Sequence, residues 1–370
     1  MQRAHSCRVI LLALYVSSFA NATELGAVPD YRQTTPTTVA HIALLLPLNS
    51  PLFGDAADAV RQGFVAASST DRHTLPVRVY GCLDEEREIA ALYARAIANG
   101  ARAVVGPLTR SGASALVAAQ SISVPTLILN NVEGTPPKQP YYFGMAVEAE
   151  AQQIAQLAAL QGFHQAVVIN TPAPIDRRLQ FAFEAAWVKS GGSILREIEF
   201  KGDPAALADV TDMPDTLVFI AADAEHARLI RPYLPNQLPL YSTSQVFAGN
   251  RNNLINFDLS NIHFVDMPWL LQPDHPAVMT FPHANPPLSA EHERLYALGI
   301  DAFRLIQLLL NKSWSPDLSL DGVTGQIELD GQVFQHQGVP AVFVQGQAQL
   351  SSQQPAPKIQ MFPEQPIDQP

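Results

Sequence analysis

The 370-residue chain has few cysteines, and their positions exclude a disulfide-stabilised fold. Cys7 lies in an N-terminal segment that we expect to be removed, which leaves Cys82 alone in the mature protein. A single thiol cannot form an internal disulfide, so stability must come from apolar burial. Cys82 could serve as a redox or intermolecular site, but its position after a strand favours a small, partly buried residue.

The sequence also lacks the motifs that usually carry catalysis or nucleotide binding. No G-x-G-x-x-G or GK[ST] follows the first strand, and H-E-x-x-H and G-x-S-x-G are absent. The histidines His275, His283 and His292 surround a proline-rich loop, which favours solvated side chains over metal ligands. Asp84-Glu85-Glu86 is more typical of a helix start than of a catalytic pair. We therefore expect a protein that is not an enzyme and has no metal or cofactor.

The N-terminal segment has the features of an export signal. Two arginines precede an apolar stretch, Val9–Phe19, which is shorter than the roughly 20 residues of a membrane-spanning helix. Ala20-Asn21-Ala22 fits the small-x-small cleavage rule, so residues 1–22 are predicted to be a signal peptide and Thr23 the mature start. Cys7 precedes the apolar stretch, whereas a lipobox cysteine follows it. We expect export to the periplasm without a lipid anchor; any association with the outer membrane would be through a partner.

The net charge argues against nucleic-acid partners. The leader carries two positive and no negative charges, so its removal changes the net charge from -11 to -13. A surface this acidic repels nucleic acid and anionic lipid head groups.

Strands and helices alternate through most of the remaining chain. The apolar run Ile42–Leu46 predicts a strand buried on both faces, followed by a polar elbow and a helix that begins near Asp55. Two such βα series predict an α/β protein with two doubly wound, parallel-sheet lobes. The expected divisions are a flexible lead at 23–38, lobe 1 at 39–145 with 267–330, lobe 2 at 146–266 with 331–350, and a disordered tail at 351–370.

Polar side chains follow the ends of successive predicted strands. Because the carboxyl ends of parallel strands lie at one edge of a sheet, two facing lobes would place many of these side chains around a cleft. Taken singly, each is equally typical of a turn or helix cap. The candidate cleft residues are Asn49, Ser50, Thr109, Arg110, Ser111, Asn130, Asn131, Asn170, Asp223, Thr243, Ser244 and Gln245.

The order of elements resembles the type I periplasmic binding-protein fold, in which three crossovers join two α/β lobes. Asn261–Pro268 is similar to the second crossover and Gly331–Gln335 to the third. Trp269, just past the second crossover, is a further cleft candidate: it could fill the space between the lobes or stack on a ligand. Packing at the hinge is the favoured role for this side chain.

Four further blocks resemble the carboxyl-terminal domain of the penicillin-binding-protein activators, the LppC family. They are Ser242–Gly249, Asp266–Leu271, Arg294–Leu305 and Gly322–Ile327, supported by Val105–Leu108 and Ala222–Pro232. The resemblance implies a regulator that contacts a peptidoglycan synthase in the periplasm. Family members are lipoproteins with a helical-repeat amino-terminal domain, and neither a lipobox nor room for that domain is seen here.

Two functional hypotheses follow. The first is a non-catalytic regulator of a penicillin-binding protein that acts by protein contact. The second is a periplasmic receptor for an amino acid or similar metabolite. A receptor needs a charged anchor for its ligand in the cleft, and Arg110 or Asp223 could supply it.

Overall fold

The computed structural model describes residues 38–119, 122–132, 139–250, 254–312 and 319–351. The predicted leader, the segment 23–37 and the predicted tail after Ser351 lie outside these residues. The strands are β1 His41–Leu46, β2 Val77–Gly81, β3 Ala101–Val105, β4 Thr126–Ile128, β5 Tyr141–Phe143, β6 Gln165–Asn170, β7 Ser193–Glu199, β8 Thr216–Ala221, β9 Leu240–Tyr241, β10 Ile262–Asp266, β11 Leu320–Asp321, β12 Gln326–Asp330, β13 Val333–Gln337, β14 Val339–Val344 and β15 Gln347–Leu350. The helices are α1 Gly54–Thr70, α2 Glu85–Ala98, α3 Arg110–Ala118, α4 Val147–Leu160, α5 Pro174–Lys189, α6 Ala224–Ile230, α7 Pro268–Leu271, α8 Pro276–Met279 and α9 Ala290–Leu310.

The first lobe is built on an eight-stranded sheet in the order β11-β12-β13-β5-β4-β3-β1-β2. Strand β1 is completely buried, as its apolar run predicts, and pairs in parallel with β2 and β3. Helices α1 and α9 cover one face of the sheet, where Phe64 and Phe303 meet edge to face. Helices α2 and α3 cover the other face. The sheet is therefore buried on both sides, as in doubly wound folds.

The second lobe has a seven-stranded sheet in the order β15-β14-β10-β9-β8-β6-β7. Helices α4 and α5 cover one face, where Phe183 stacks on both Trp187 and Phe219. On the opposite face Phe264 stacks on Phe343 at 4.8 Å between ring centroids. Both lobes have mostly parallel sheets, which confirms the predicted α/β class with two lobes.

The third crossover lies further along the chain than Gly331–Gln335, where the sequence placed it. Strand β13 belongs to the first sheet, since Val333 and Phe334 pair in parallel with β5. We expected residues 331–337 to belong to lobe 2, and this prediction is wrong. They remain in lobe 1 because Phe334 is buried in the first core. The chain changes sheets at Gly338, whose N–H and carbonyl both bond the side chain of Gln153.

Two glycines allow α1 and α9 to pack at close range. A Cβ added to Gly63 would lie 1.9 Å from the carbonyl oxygen of Tyr296, and one added to Gly299 would lie 2.2 Å from that of Val60. Neither obstacle is a flexible side chain, so the helices would have to separate to admit a methyl group. The close approach of the backbones thus requires glycine at both positions.

We expect Gly63→Ala or Gly299→Ala to lower the free energy of unfolding by at least about 2 kcal/mol, because overpacking a rigid contact costs 1–3 kcal/mol. Urea denaturation measures the change. Gly81→Ala is the matched control, because its Cβ would meet Leu48 at an ordinary 3.5 Å. Equal stability of Gly63→Ala and Gly81→Ala would contradict the close packing.

Candidate functional site

A buried arginine of the first lobe connects it to the second. Arg294 in α9 donates to Asp266 Oδ2 at 2.6 Å from Nη2 and to Oδ1 at 3.1 Å from Nε. The same Nη2 donates to the carbonyl oxygens of Ser244 and Phe247, at 3.0 and 2.9 Å. A buried charge is costly unless it is paired and hydrogen-bonded. This set of contacts therefore holds α9 against the second lobe.

A second carboxylate lies in the same cluster. Glu150 of α4 accepts hydrogen bonds from the Ser244 N–H at 2.8 Å and from its hydroxyl at 2.9 Å. Burial, and then the charge of Asp266, raise the pKa of Glu150 to about 7. Because a hydroxyl can donate or accept, Ser244 can bond either protonation state of this carboxyl group. Protonation of Glu150 therefore changes the charge of the cluster while the contact with Ser244 can be kept.

The four blocks that carry the LppC resemblance meet around this cluster. Arg294 joins three of them through the contacts given above. The Trp269 N–H donates to the Val323 carbonyl at 3.0 Å, and both the N–H and the hydroxyl of Thr324 donate to Asp301 at 2.8 Å. The blocks are distant in sequence but form one connected structure at the hinge.

A cavity of about 590 Å³ lies beside the cluster, between the lobes. Apolar side chains such as Met145, Ile175 and Phe247 form part of its wall. Its charged lining is Glu150, Asp223, Glu225, Arg228, Glu291 and Arg294. Arg294 is already neutralised by Asp266, which leaves Arg228 to balance the acidic groups. The cavity is therefore acidic.

The turn after β1, which contains Asn49 and Ser50, does not line this cavity. Asn49 is exposed at the end of β1, and its N–H donates to the Cys82 carbonyl at 3.0 Å. The Ser50 hydroxyl accepts from the N–H groups of Leu52 and Phe53. These contacts are typical of a turn that leads into a helix.

The elbow after β3 is held by a buried carboxylate. Glu85 accepts from the Thr109 hydroxyl at 2.6 Å, from the Thr109 N–H at 2.7 Å and from the Leu108 N–H at 3.0 Å. Burial raises the pKa of Glu85. Thr109 also caps α3 by accepting from Gly112, and it contacts the Ser111 hydroxyl at 3.4 Å. The sequence position of Glu85 predicts only a favourable charge at the start of α2. In the structure Glu85 also holds the turn between β3 and α3.

Arg110 reaches across to the second lobe. Its Nη2 lies 3.5 Å from Glu148 Oε1, and Arg178 Nε approaches the same oxygen at 3.1 Å. The three side chains form a partly exposed bridge between α3, α4 and α5. Arg110 is therefore paired, and it does not line the acidic cavity.

The asparagines bond mainly to nearby backbone. Asn130 donates to the Leu108 carbonyl at 2.8 Å and accepts from the Asn131 N–H at 2.9 Å. Asn170 is buried and donates to the Thr171 carbonyl at 3.3 Å. The buried Oδ1 of Asn131 has no hydrogen-bond partner among the described residues.

Of the remaining candidates, Asp223, Ser244 and Gln245 line the acidic cavity. Asp223 caps α6 and accepts from the N–H and the ring of His226, at 2.8 and 2.9 Å. Thr243 is buried, and its hydroxyl has no partner among the described residues. The structure therefore brings three of the predicted residues together at the cavity, whereas most of the others lie in turns and helix caps and Arg110 lies in the bridge between the lobes.

Trp269 packs inside the first lobe. Its Nε1 donates to Glu293 Oε2 at 2.8 Å, and its ring lies against Tyr296 and His283. Only 3% of the side chain is exposed. This geometry corresponds to the packing role and not to a side chain free to stack on a ligand.

Sequence reasoning missed the residues at the centre of the site, Glu150, Asp266 and Arg294. One signal was present: Arg294 and Asp301 are seven residues apart, on the buried face of the amphipathic helix α9. Charged side chains on an apolar helix face need partners, so their spacing indicated a buried polar cluster.

The remaining chemical candidates are engaged in structural contacts. Cys82 is buried; burial, with the charge of Glu85 next, raises the pKa of its thiol to about 12, so it is unreactive. His275 lies near Asp321, and His292 contacts Ser289. The described ranges contain no group of three or more potential metal ligands. Among the same residues, no helix is long and apolar enough to cross a membrane.

The two lobes, three crossovers and cavity between them define a protein of the type I periplasmic binding-protein class. Solved structures support this fold. The C-domain of Haemophilus influenzae LpoA (YraM), described as a regulator of PBP1A, matches with a TM-score of 0.72 and 22% identity over 84% of this chain and 100% of that one. A Chromobacterium violaceum protein described as a putative branched-chain amino acid ABC transporter matches with a TM-score of 0.71 and 33% identity, over 82% and 100%.

The family follows from the sequence comparison. The profile described as "LppC putative lipoprotein" matches residues 21–213 and 211–337, so the chain belongs to the LppC family. The penicillin-binding protein activator LpoA of Photobacterium profundum is 27% identical over 79% of this chain and 54% of its own length. LpoA of H. influenzae is 25% identical over 83% and 54%. The chain thus spans about half the length of these curated relatives.

We expect Arg294→Met to lower the free energy of unfolding by about 3–5 kcal/mol, because it leaves Asp266 buried without its counter-ion. Arg177→Met is the matched control: it removes an exposed pair with Glu199, and such pairs contribute about 1 kcal/mol or less. Guanidinium denaturation at neutral pH measures both. Similar losses for the two variants would contradict the central role of Arg294.

We also expect Glu150 to make stability depend on pH. Its pKa in the folded protein is raised, so the folded state binds the extra proton and stability falls as pH rises from about 4.5 to about 7. Glu150→Gln removes this contribution but can still bond Ser244. The variant should show a shallower loss of unfolding free energy between pH 5 and pH 8. Glu86→Gln, at an exposed site, is the control; equal slopes for wild type and Glu150→Gln would contradict the expectation.

Proposed function

We propose that this chain is a non-catalytic periplasmic regulator that stimulates a peptidoglycan synthase of the penicillin-binding-protein class by direct contact. The observation that carries the proposal is family membership over both lobes. Curated relatives are named penicillin-binding protein activators, and one structural neighbour is described as a regulator of PBP1A. The chain itself carries out no reaction in this proposal; its effect is on the activity of the synthase.

The hinge supports a regulator that presents a fixed surface. Arg294 of the first lobe is bound by Asp266 and by two carbonyl groups of the second lobe, and Arg110 bridges the lobes a second time through Glu148. Opening the cleft would separate these groups and expose a charge that is now satisfied. A preorganised surface loses less conformational entropy when a protein partner binds.

The second candidate function is a receptor for a free amino acid. It is favoured by the cavity between the lobes and by the resemblance to the C. violaceum protein. The charges of the cavity argue against it. The carboxylate of an amino acid would find Glu150, Asp223 and Glu225 around it, with Arg228 as the available cation, and the Arg228 Nε is already bonded to the Ile255 carbonyl. Burying a carboxylate without a paired cation is strongly unfavourable.

The test compares two kinds of partner. We expect the full exported chain to bind a bifunctional synthase from the same cell in a surface plasmon resonance assay and to increase its rate of glycan polymerisation in a saturable way. Chemical crosslinking in cells, followed by mass spectrometry, should recover the same synthase. Calorimetry against the twenty amino acids and muropeptides should give no dissociation constant as tight as micromolar, about −8 kcal/mol.

A pair of variants makes the test decisive. Arg228→Ala removes the available cavity cation and should abolish any amino-acid binding that depends on it. A micromolar affinity for an amino acid that Arg228→Ala abolishes, together with no effect on any synthase, would replace the regulator with the receptor. Arg196→Ala, at an exposed site in the second lobe, controls for loss of a surface arginine.

A further inference from the structure

The second lobe exposes a group of large apolar side chains on the side of α6. We call it the α6 surface and define it by Leu229, Tyr233, Leu254, Ile255 and Phe257, with exposed fractions of 53%, 53%, 79%, 45% and 49%. Isolated apolar residues on a surface are ordinary, but a group of this kind marks an interaction site.

The α6 surface is made of two segments, residues 224–233 and residues 254–260. Polar contacts beneath the surface hold these segments together. Arg228 of α6 donates to the Ile255 carbonyl at 3.0 Å. Arg231, which is buried, donates to the Ser260 carbonyl at 2.9 Å. Asn256, also buried, donates to the Gly249 carbonyl at 3.1 Å. The apolar side chains are therefore exposed on a framework whose inner polar groups are hydrogen-bonded.

The rim of the α6 surface is acidic. Glu225 and Asp258 are exposed within its two segments, and Asp223 is exposed at the start of α6. Arg228 is partly buried and engaged with backbone. Asp223, Glu225 and Arg228 also line the acidic cavity between the lobes, to which Glu291 of α9 contributes, so the cavity adjoins the α6 surface. Among the described residues, the exposed charges around this apolar centre are mainly acidic, which favours a partner with basic side chains.

This charge pattern disfavours two other occupants. A second copy of the chain would bring the same acidic rim against itself, which is repulsive. An anionic lipid surface would be repelled in the same way. A basic protein segment gains from both the apolar centre and the acidic rim.

We propose that the α6 surface is the docking site for the synthase, which contributes an apolar segment flanked by lysine or arginine side chains. This inference rests on the proposed function and assigns it to one face of the second lobe. The lobe presents apolar centre and charged rim in one preformed surface, so docking requires no rearrangement of the hinge.

The first experiment removes the apolar centre. Leu229→Ser with Phe257→Ser, in the full chain, should weaken synthase binding by at least about tenfold, because central apolar side chains dominate interface energies. Leu160→Ser with Phe181→Ser is the matched control: these residues are 85% and 64% exposed elsewhere on the second lobe, and binding should be unchanged. Circular dichroism and thermal melting establish that both double variants fold.

The second experiment reverses the rim. Glu225→Lys with Asp258→Lys should weaken binding and reduce its dependence on salt concentration, whereas Glu86→Lys on the first lobe should do neither. Analytical ultracentrifugation should show the wild type monomeric, and a vesicle of anionic phospholipid should not bind it.

The outcomes separate this inference from the proposed function. If the wild type binds the synthase and the α6 variants bind equally well, the docking site is elsewhere and the proposed function stands. If the wild type does not bind the synthase, both are overturned. If the α6 variants instead abolish self-association or vesicle binding, the surface belongs to another occupant and the inference fails.

Discussion

The need to neutralise one buried guanidinium organises the hinge. Arg294 lies on a helix of the first lobe, yet its nearest acceptors are Asp266, where β10 ends, and carbonyls in the segment after β9. Both charges are buried, and a lost partner would leave a costly unpaired charge, so the ion pair and the carbonyl contacts must form together. The angle between the lobes is thus specified by electrostatics as well as by apolar packing.

The charges around this cluster favour the proposed protein contact over the capture of a small ligand. In the cavity beside it the acidic side chains outnumber the available cations, and the elbows after β1 and β3 are occupied by turn and cap contacts. Polar residues at strand ends are typical of ligand sites, but here most of them satisfy the protein itself. The exposed apolar side chains of the proposed docking site lie instead on the α6 surface.

The sequence predicted the two lobes well because the relevant signals are local. The apolar run Ile42–Leu46 and the glycine that follows α2 mark a buried strand and a helix end without knowledge of their partners. The position of β13 could not be predicted in this way, since its short alternating pattern fits either sheet and the choice depends on where Phe334 is buried. The partners of Glu85 and Arg294 could not be predicted for the same reason. Those of Glu85 are at least 23 residues away in sequence, and those of Arg294 at least 28.

The pairing of α1 with α9 has a consequence for the rate of folding. Residues 54–70 complete their packing only against residues 290–310, and the second sheet gains its last strands from residues 339–350. Both sheets are therefore completed by segments that are far apart in sequence. Forming their cores requires the closure of long loops, which costs chain entropy before the native contacts can form and slows folding. The chain order that lets the two lobes share a hinge thus makes the native state slow to reach.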